Sequence, residues 1–162
     1  MKFLTATHTD VGTRKKRNQD SMVIMQAETD RGNILFASVC DGMGGLAKGE
    51  VASAAMVNAF AQWFETELPD LVRTMDAGAF LEEELWGQWS GLINRTNRGI
   101  ESYGRGIHIA LGTTAVGVLI YGEDYYTLNV GDSRAYLLAD NIYQLTKDQS
   151  YVQREMDAGR IT

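Results

Sequence analysis

Residues 34–46 read Ile34-Leu35-Phe36-Ala37-Ser38-Val39-Cys40-Asp41-Gly42-Met43-Gly44-Gly45-Leu46, and the fold turns on how they are read. An apolar run rich in β-formers stops at one aspartate, and three glycines follow within four positions. A helical pattern starts beyond them. The stretch predicts a buried strand over 34–40 that carries Asp41 at its C-terminal tip. After it comes a turn whose backbone, nearly free of side chains, can approach a ligand closely. Both a metal ion and a phosphate group suit that arrangement.

Toward the N-terminus, residues 2–8 predict a first short strand and residues 10–20 a polar, strongly basic loop. Residues 21–28 read as a second strand, with a hairpin turn over 29–33 in which Gly32 and Asn33 can supply positive φ. Toward the C-terminus, Val51, Ala55, Met56, Ala59, Phe60, Trp63 and Phe64 recur at spacings of three and four and predict an amphipathic helix over 48–68, stopped near Pro69. A second helix is expected over 79–102, weakened by Gly87, Gly91 and Gly99, each costing about 1 kcal/mol against alanine. From Gly112 the period becomes two: strands over 113–121, 125–130, 134–138 and 142–145, then a short helix over 150–158. Strands, two long helices and strands again predict an α+β fold built of antiparallel hairpins rather than a βαβ array.

Composition narrows the function. With 162 residues, 44% hydrophobic and 22% charged, the chain suffices for one domain, 1–162, with a real core. A net charge of −6 argues against nucleic acid as a partner. The single cysteine, Cys40, excludes an internal disulfide and reads as a small buried hydrophobe. The N-terminus turns polar too early for a signal peptide, and no apolar stretch reaches the roughly 18 residues of a membrane span. The expectation is a soluble, cytoplasmic protein with no membrane partner.

Several chemistries compete at the glycine-rich turn. Gly42-Met43-Gly44-Gly45-Leu46-Ala47 satisfies the G-x-G-x-x-A dinucleotide pattern. Against it, Asp41 would set a negative charge beside a pyrophosphate, the next element is a helix rather than a parallel strand, and the ribose-binding acid is missing. No Gly-Lys-Ser/Thr follows for a Walker loop, and no ladder of alternate carboxylates for an EF-hand. The metal reading does better. Asp20 and Asp132 also fall at strand ends, and three such aspartates can converge on one sheet edge. Two carboxylates about 4 Å apart repel by on the order of 4 kcal/mol at an effective dielectric of 20, a cost that a hard divalent cation removes. All-oxygen ligation points to Mg²⁺ or Mn²⁺ rather than zinc.

Five stretches carry a resemblance: Thr9-Asp10-Val11-Gly12 through Asn18-Gln19-Asp20; Val39-Cys40-Asp41-Gly42-Met43-Gly44-Gly45; Gly112-Thr113-Thr114-Ala115-Val116; Asn129-Val130-Gly131-Asp132-Ser133-Arg134-Ala135-Tyr136-Leu137; and Leu145-Thr146-Lys147-Asp148. In order and over essentially the whole chain, they resemble the successive motifs of the metal-dependent (type-2C) protein serine/threonine phosphatases, the bacterial branch most of all. The resemblance implies two antiparallel sheets packed face to face and flanked by helices, with a dinuclear Mn²⁺/Mg²⁺ site at one edge. It assigns Asp41 to bridging the metals, the Gly42 carbonyl to binding one of them, Asp20 to holding metal-bound water, and Asp132 to a third, weaker ion. The implied reaction is hydrolysis of a phosphoserine or phosphothreonine ester by a metal-activated water, on a phosphorylated protein substrate and opposing a serine/threonine kinase. Where the family places a phosphate-gripping arginine this chain has Lys15, with Arg14 one position earlier; of the two, Arg14 is preferred.

The chain also departs from the pattern. Gln149 stands where the family usually has histidine, Met43 replaces a histidine of animal members, and His8 and His108 offer no substitute. The family's two later metal aspartates lie beyond the segment at 157–162. The resemblance therefore implies an N-terminal portion of a catalytic domain, incomplete at its C-terminus, of low activity, and with exposed strand edges that invite dimerisation. A catalytically inactive phosphatase-like interaction module is the alternative.

Overall fold

In the computed structural model, which describes residues 2–13, 15–30, 32–43, 48–74 and 81–161, the 34–46 stretch lies in the middle of a sheet. Strands β1 (Asp20–Thr29) and β2 (Gly32–Met43) form an antiparallel hairpin registered from Asp20 against Asp41 to Thr29 against Gly32. The positive φ of the turn falls on Gly32 (127°), while Asn33 is already paired with Glu28. Strands β4 (Ala115–Tyr121) and β5 (Asp124–Val130) extend the sheet in the order β1-β2-β4-β5. The two-residue β3 (Gly112–Thr113) continues the line of β4 against the end of β2.

That short strand corrects the expected end of β2. Gly42 and Met43 pair with Thr113 and Gly112, so the strand runs through Asp41 instead of stopping at it. Asp41 is thus held by neighbours on both sides, Asp20 on β1 and the 112–114 segment opposite. Residues 44–47 of the expected glycine turn lie outside the described residues.

Helices α1 (Gly49–Thr66), α2 (Leu68–Thr74) and α3 (Leu81–Gly106) follow. Pro69, expected to end the first helix, instead sits in the first turn of α2, where its missing N–H costs nothing. The break falls at Glu67, whose N–H donates to Trp63 O at 2.9 Å. Helix α3 is continuous through all three glycines and runs a turn past its expected end; residues 79 and 80 lie outside the described residues. Burial of Leu85, Trp89, Leu92 and Ile100 along one stripe outweighs the glycine cost.

Phe36 meets Phe60, Trp63 and Trp89 at ring-centroid distances of 5.3, 5.4 and 6.2 Å, tying one sheet face to α1 and α3. The Trp63 indole N–H donates to Gln88 Oε1 at 2.7 Å, which gives the buried ring a half-buried polar partner. On the other face Met22, Ile24, Ala37, Val39, Val116 and Val118 line an open cavity of about 300 Å³ with His8 and Arg134 on its wall. Residues 2–8, expected as a strand, are irregular and mostly exposed, and pair with none of the described strands. A second antiparallel sheet consists of β6 (Tyr136–Leu138) and β7 (Ile142–Gln144), shorter than expected and exposed. Helix α4 (Tyr151–Asp157) is capped by Ser150, whose Oγ accepts from the Gln153 N–H at 3.1 Å. Two antiparallel sheets with helices make an α+β fold. None of the described helices is long and apolar enough to cross a membrane.

Candidate metal centre

Asp20 opens β1 and Asp41 lies directly opposite it in β2. The expected distance of 21 residues in sequence thus collapses to one rung of a ladder. Burial pushes the Asp20 carboxyl above its ordinary value, and the neighbouring Asp41 charge and a hydrogen bond with that carboxyl push the same way; Lys15 opposes them. The charged form is disfavoured because two like charges share a partly desolvated rung. A divalent cation reverses that balance.

The two acids face a cleft of about 340 Å³, lined also by Asp10, Gly12, Lys15, Asn18 and Gln19. The loop that forms its wall is shaped by its own polar side chains. The Gly12 N–H donates to Asp10 Oδ1 at 2.6 Å, and the Asp20 N–H to Asn18 Oδ1 at 3.0 Å. These are the local side-chain bonds that let Asp and Asn build turns. Arg17 points away from the cleft to Glu50 of α1, 3.5 Å distant, and Lys15 is the loop cation on the cleft wall. Arg14 lies outside the described residues.

Behind the acids the backbone is packed too tightly for side chains. A Cβ on Gly42 would stand 2.3 Å from Gly49 O and 2.5 Å from Gln19 O, so only glycine fits. The Gly42 N–H donates to Gln19 O at 3.1 Å, and the same carbonyl accepts from Ser53 Oγ of α1 at 2.6 Å. Ser53 Oγ also lies 3.0 Å from Ser21 Oγ. The start of β1, the end of β2 and the first turn of α1 are therefore one hydrogen-bonded unit.

Asp132 is placed differently. It is exposed in the break between β5 and β6, where Gly131 takes φ 102°. Among the described residues, no three His, Cys, Asp or Glu side chains come together. The structure brings Asp20 and Asp41 together and leaves Asp132 apart from them. The break itself is held by Gln149, whose N–H donates to Gly131 O at 2.7 Å and whose side-chain amide donates to Asn129 O at 2.9 Å. Gln149 is structural in this fold. Met43 is exposed, His8 lies on the far sheet face, and His108 ends α3; none of them lines the cleft.

The donor set is two carboxylates and a strand-end carbonyl, all hard oxygens. Mg²⁺ and similar ions are commonly held by one or two carboxylates with water completing the octahedron, so Asp20 and Asp41 fit such an ion. The supporting residues Gln19, Ser53, Thr114 and Ser133 were not picked out from sequence. Their only signal there was position: Thr114 and Ser133 fall inside motif stretches, and Ser53 is a small polar residue on the buried face of α1.

An open antiparallel sheet backed by helices, with paired carboxylates at one end, defines an α+β scaffold with a hard-oxygen cleft. A family model described as protein phosphatase 2C matches residues 8–155, and the chain belongs to that family. It is 33% identical over 159 residues to the serine/threonine protein phosphatase PstP of Mycobacterium tuberculosis, covering 97% of this chain and 27% of that one. It is 31% identical over 158 residues to the serine/threonine phosphatase stp of Listeria welshimeri, covering 95% and 58%. Among solved structures, Stp1 of Staphylococcus aureus superposes with a TM-score of 0.74 at 30% identity over 96% of this chain and 57% of that one. The PstP catalytic domain, solved in complex with two manganese ions, superposes with a TM-score of 0.71 at 30% identity over 96% and 60%. The chain thus spans little more than half the length of these structures, and about a quarter of full PstP.

Proposed function

We propose that this chain carries the N-terminal part of the active site of an Mn²⁺/Mg²⁺-dependent protein serine/threonine phosphatase. The observation that carries the reading is the Asp20–Asp41 rung, set in a cleft within the family-matched region. Asp41 and Gly42 would hold the ions, Asp20 would hold their water, and Asp132 would serve a further ion. When bound, such ions lower the pKa of a water and neutralise charge on phosphoryl oxygens. Lys15, on the cleft wall, and Arg14 next to it supply positive charge for the substrate phosphate; an arginine there would bind two phosphate oxygens at once. The substrate class is a phosphorylated protein, the opposing activity a serine/threonine kinase, and the setting cytoplasmic signalling.

The same reading takes residues 1–162 as one phosphatase-like domain lacking its last metal-binding motifs. Support comes from the share of the solved relatives that it spans, from the described Asp20–Asp41 pair, and from the likeness to the PstP catalytic domain, which was solved with two manganese ions. Activity of the 162 residues alone is accordingly low. One observation favours the second reading, an inactive phosphatase-like interaction module: the described residues gather two acids and not three.

Phosphopeptide hydrolysis by the full open reading frame, with and without Mn²⁺, separates the two. The phosphatase reading expects Mn²⁺-dependent release of phosphate and a loss of about 100-fold or more in Asp41→Asn. Absent hydrolysis, in the wild type and in that variant alike, selects the interaction module.

A further inference from the structure

Thr114 stands between β3 and β4, is 2% exposed, and has its hydroxyl fully engaged. The register that pairs Gly42 with Thr113 and Val39 with Val116 sets it opposite Asp41. On its other side, the register that pairs Ala115 with Val130 sets it opposite Gly131. Asp20, Asp41, Thr114 and Gly131 therefore form one row across four strands. Asp132 is the next residue along.

The contacts are specific. The Thr114 N–H donates to Asp41 O at 2.9 Å, and the Asp41 N–H donates to Thr114 Oγ1 at 3.0 Å. The same Oγ1 lies 2.7 Å from Ser133 Oγ, in the turn that carries Asp132. Its methyl group rests on bare backbone: a Cβ on Gly131 would come within 2.8 Å of Thr114 Cγ2. One side chain thus touches the main chain of Asp41 and the break beside Asp132, residues that are remote in sequence and carry no direct bond to each other.

We propose that Thr114 is a positioning residue of the metal centre, its hydroxyl locking the Asp41 main chain to the Ser133 turn and so setting where the Asp41 and Asp132 carboxylates stand relative to one another. The inference rests on the reading of Asp41 as a metal ligand. A threonine that merely filled the sheet would contribute stability alone. A positioning threonine must move metal affinity, because groups behind the ligands are what orient them. Valine is the informative replacement, since it keeps the shape, removes the hydroxyl and leaves the part-buried Asp41 N–H without its acceptor. Serine keeps the hydroxyl and loses the methyl.

The test titrates Mn²⁺ alone into the chain, reading free Mn²⁺ by its aquo-ion resonance. Amide hydrogen exchange is followed by NMR in parallel. Thr114→Val is expected to weaken Mn²⁺ binding about tenfold. It should speed exchange at the amides of Asp41 and Ser133 while those in α1 and α3 keep wild-type rates, and Thr114→Ser should restore both. Mn²⁺ uptake by Thr114→Val equal to that of the wild type overturns the inference, as does Thr114→Ser as weak as Thr114→Val. Should the valine variant not fold, Ser133→Ala cuts the second bond only and is expected to shift the Asp41 amide resonance across Thr114; an unmoved resonance overturns the inference equally. Absence of Mn²⁺ uptake by wild type and Asp41→Asn alike removes the metal reading and this inference together, whereas normal wild-type uptake that Thr114→Val leaves intact removes the inference alone.

Discussion

His108 adopts the left-handed backbone, with φ 56°, immediately past the end of α3. The Ile109 N–H donates to Gly104 O at 2.9 Å and the His108 N–H to Arg105 O at 3.3 Å, the paired bonds of a Schellman motif with His108 at C′. Glycine is the usual residue at C′, and a side chain there costs about 1–2 kcal/mol. Gly104, by contrast, is indispensable, because a Cβ would lie 2.5 Å from Ile109 O. His108→Gly is expected to stabilise the fold by about 0.5–1 kcal/mol after its own unfolded-state entropy is counted. That is a rise in Tm of about 2–4 °C per kcal/mol for a chain of this size, read by thermal unfolding. A lower Tm would contradict the cap. The helix-ending role of His108 follows from backbone geometry that composition does not reveal.

At the scale of elements, α4 shows how a short helix with no buried side chains is held. Ser150 caps its start, Lys147 Nζ lies 2.7 Å from Asp157 Oδ2, and Arg160 forms two 2.6 Å bonds with Glu155. The Arg160 and Lys147 partners hold the Glu155 and Asp157 carboxyls below their ordinary values of 4.5 and 3.8. The sign follows directly. Carboxyls lowered on folding stabilise above the ordinary values, and that stabilisation is lost as pH falls through the lowered ones. Both pairs are exposed and salt-screened, so the effect is confined to the segment. Carbon secondary shifts over 151–157, followed from pH 7 to pH 3 at low salt, should stay helical above about pH 5 and collapse toward coil below about pH 4. Helicity that persists to pH 3 would show that the capping serine and main chain suffice.

For the whole molecule, β1 and β5 are the outer strands of the larger sheet. Tyr125 on β5 is half exposed, and no described element covers that edge. Open edges with apolar side chains pair with other chains. Self-association that rises with concentration is expected by sedimentation velocity, and Tyr125→Lys, a charge on the β5 edge, should reduce it. A monomer at all concentrations, or a dimer indifferent to the lysine, would place the contact elsewhere. The aromatic cluster of Phe36, Phe60, Trp63 and Trp89 lies on the opposite side of the question: it is fully enclosed by α1, α3 and the sheet, and its stability does not depend on a partner.

Much of this was legible from the amino-acid sequence. The apolar run of β2 and the three-and-four spacing on α1 are local features, and they mark a buried strand and a one-faced helix before any partner is known. Asp41 stood out because a lone carboxylate ended an apolar run. What periodicity cannot carry is pairing. Residues 2–8 read as a short strand yet pair with none of the described strands, although β1 and β5 both have an outer edge. Pro69 starts a helix rather than ending one, because the chain had already turned at Glu67. Three glycines failed to break α3, since long-range burial of Trp89 and its neighbours exceeds a local cost of about 1 kcal/mol each. The sequence by itself determined the class of fold and singled out Asp41. Only the tertiary structure decided that Asp20 faces Asp41 across one rung while Asp132 stands apart, and that Thr114 joins the two. Register is a cooperative property of the whole sheet, and no residue encodes it alone.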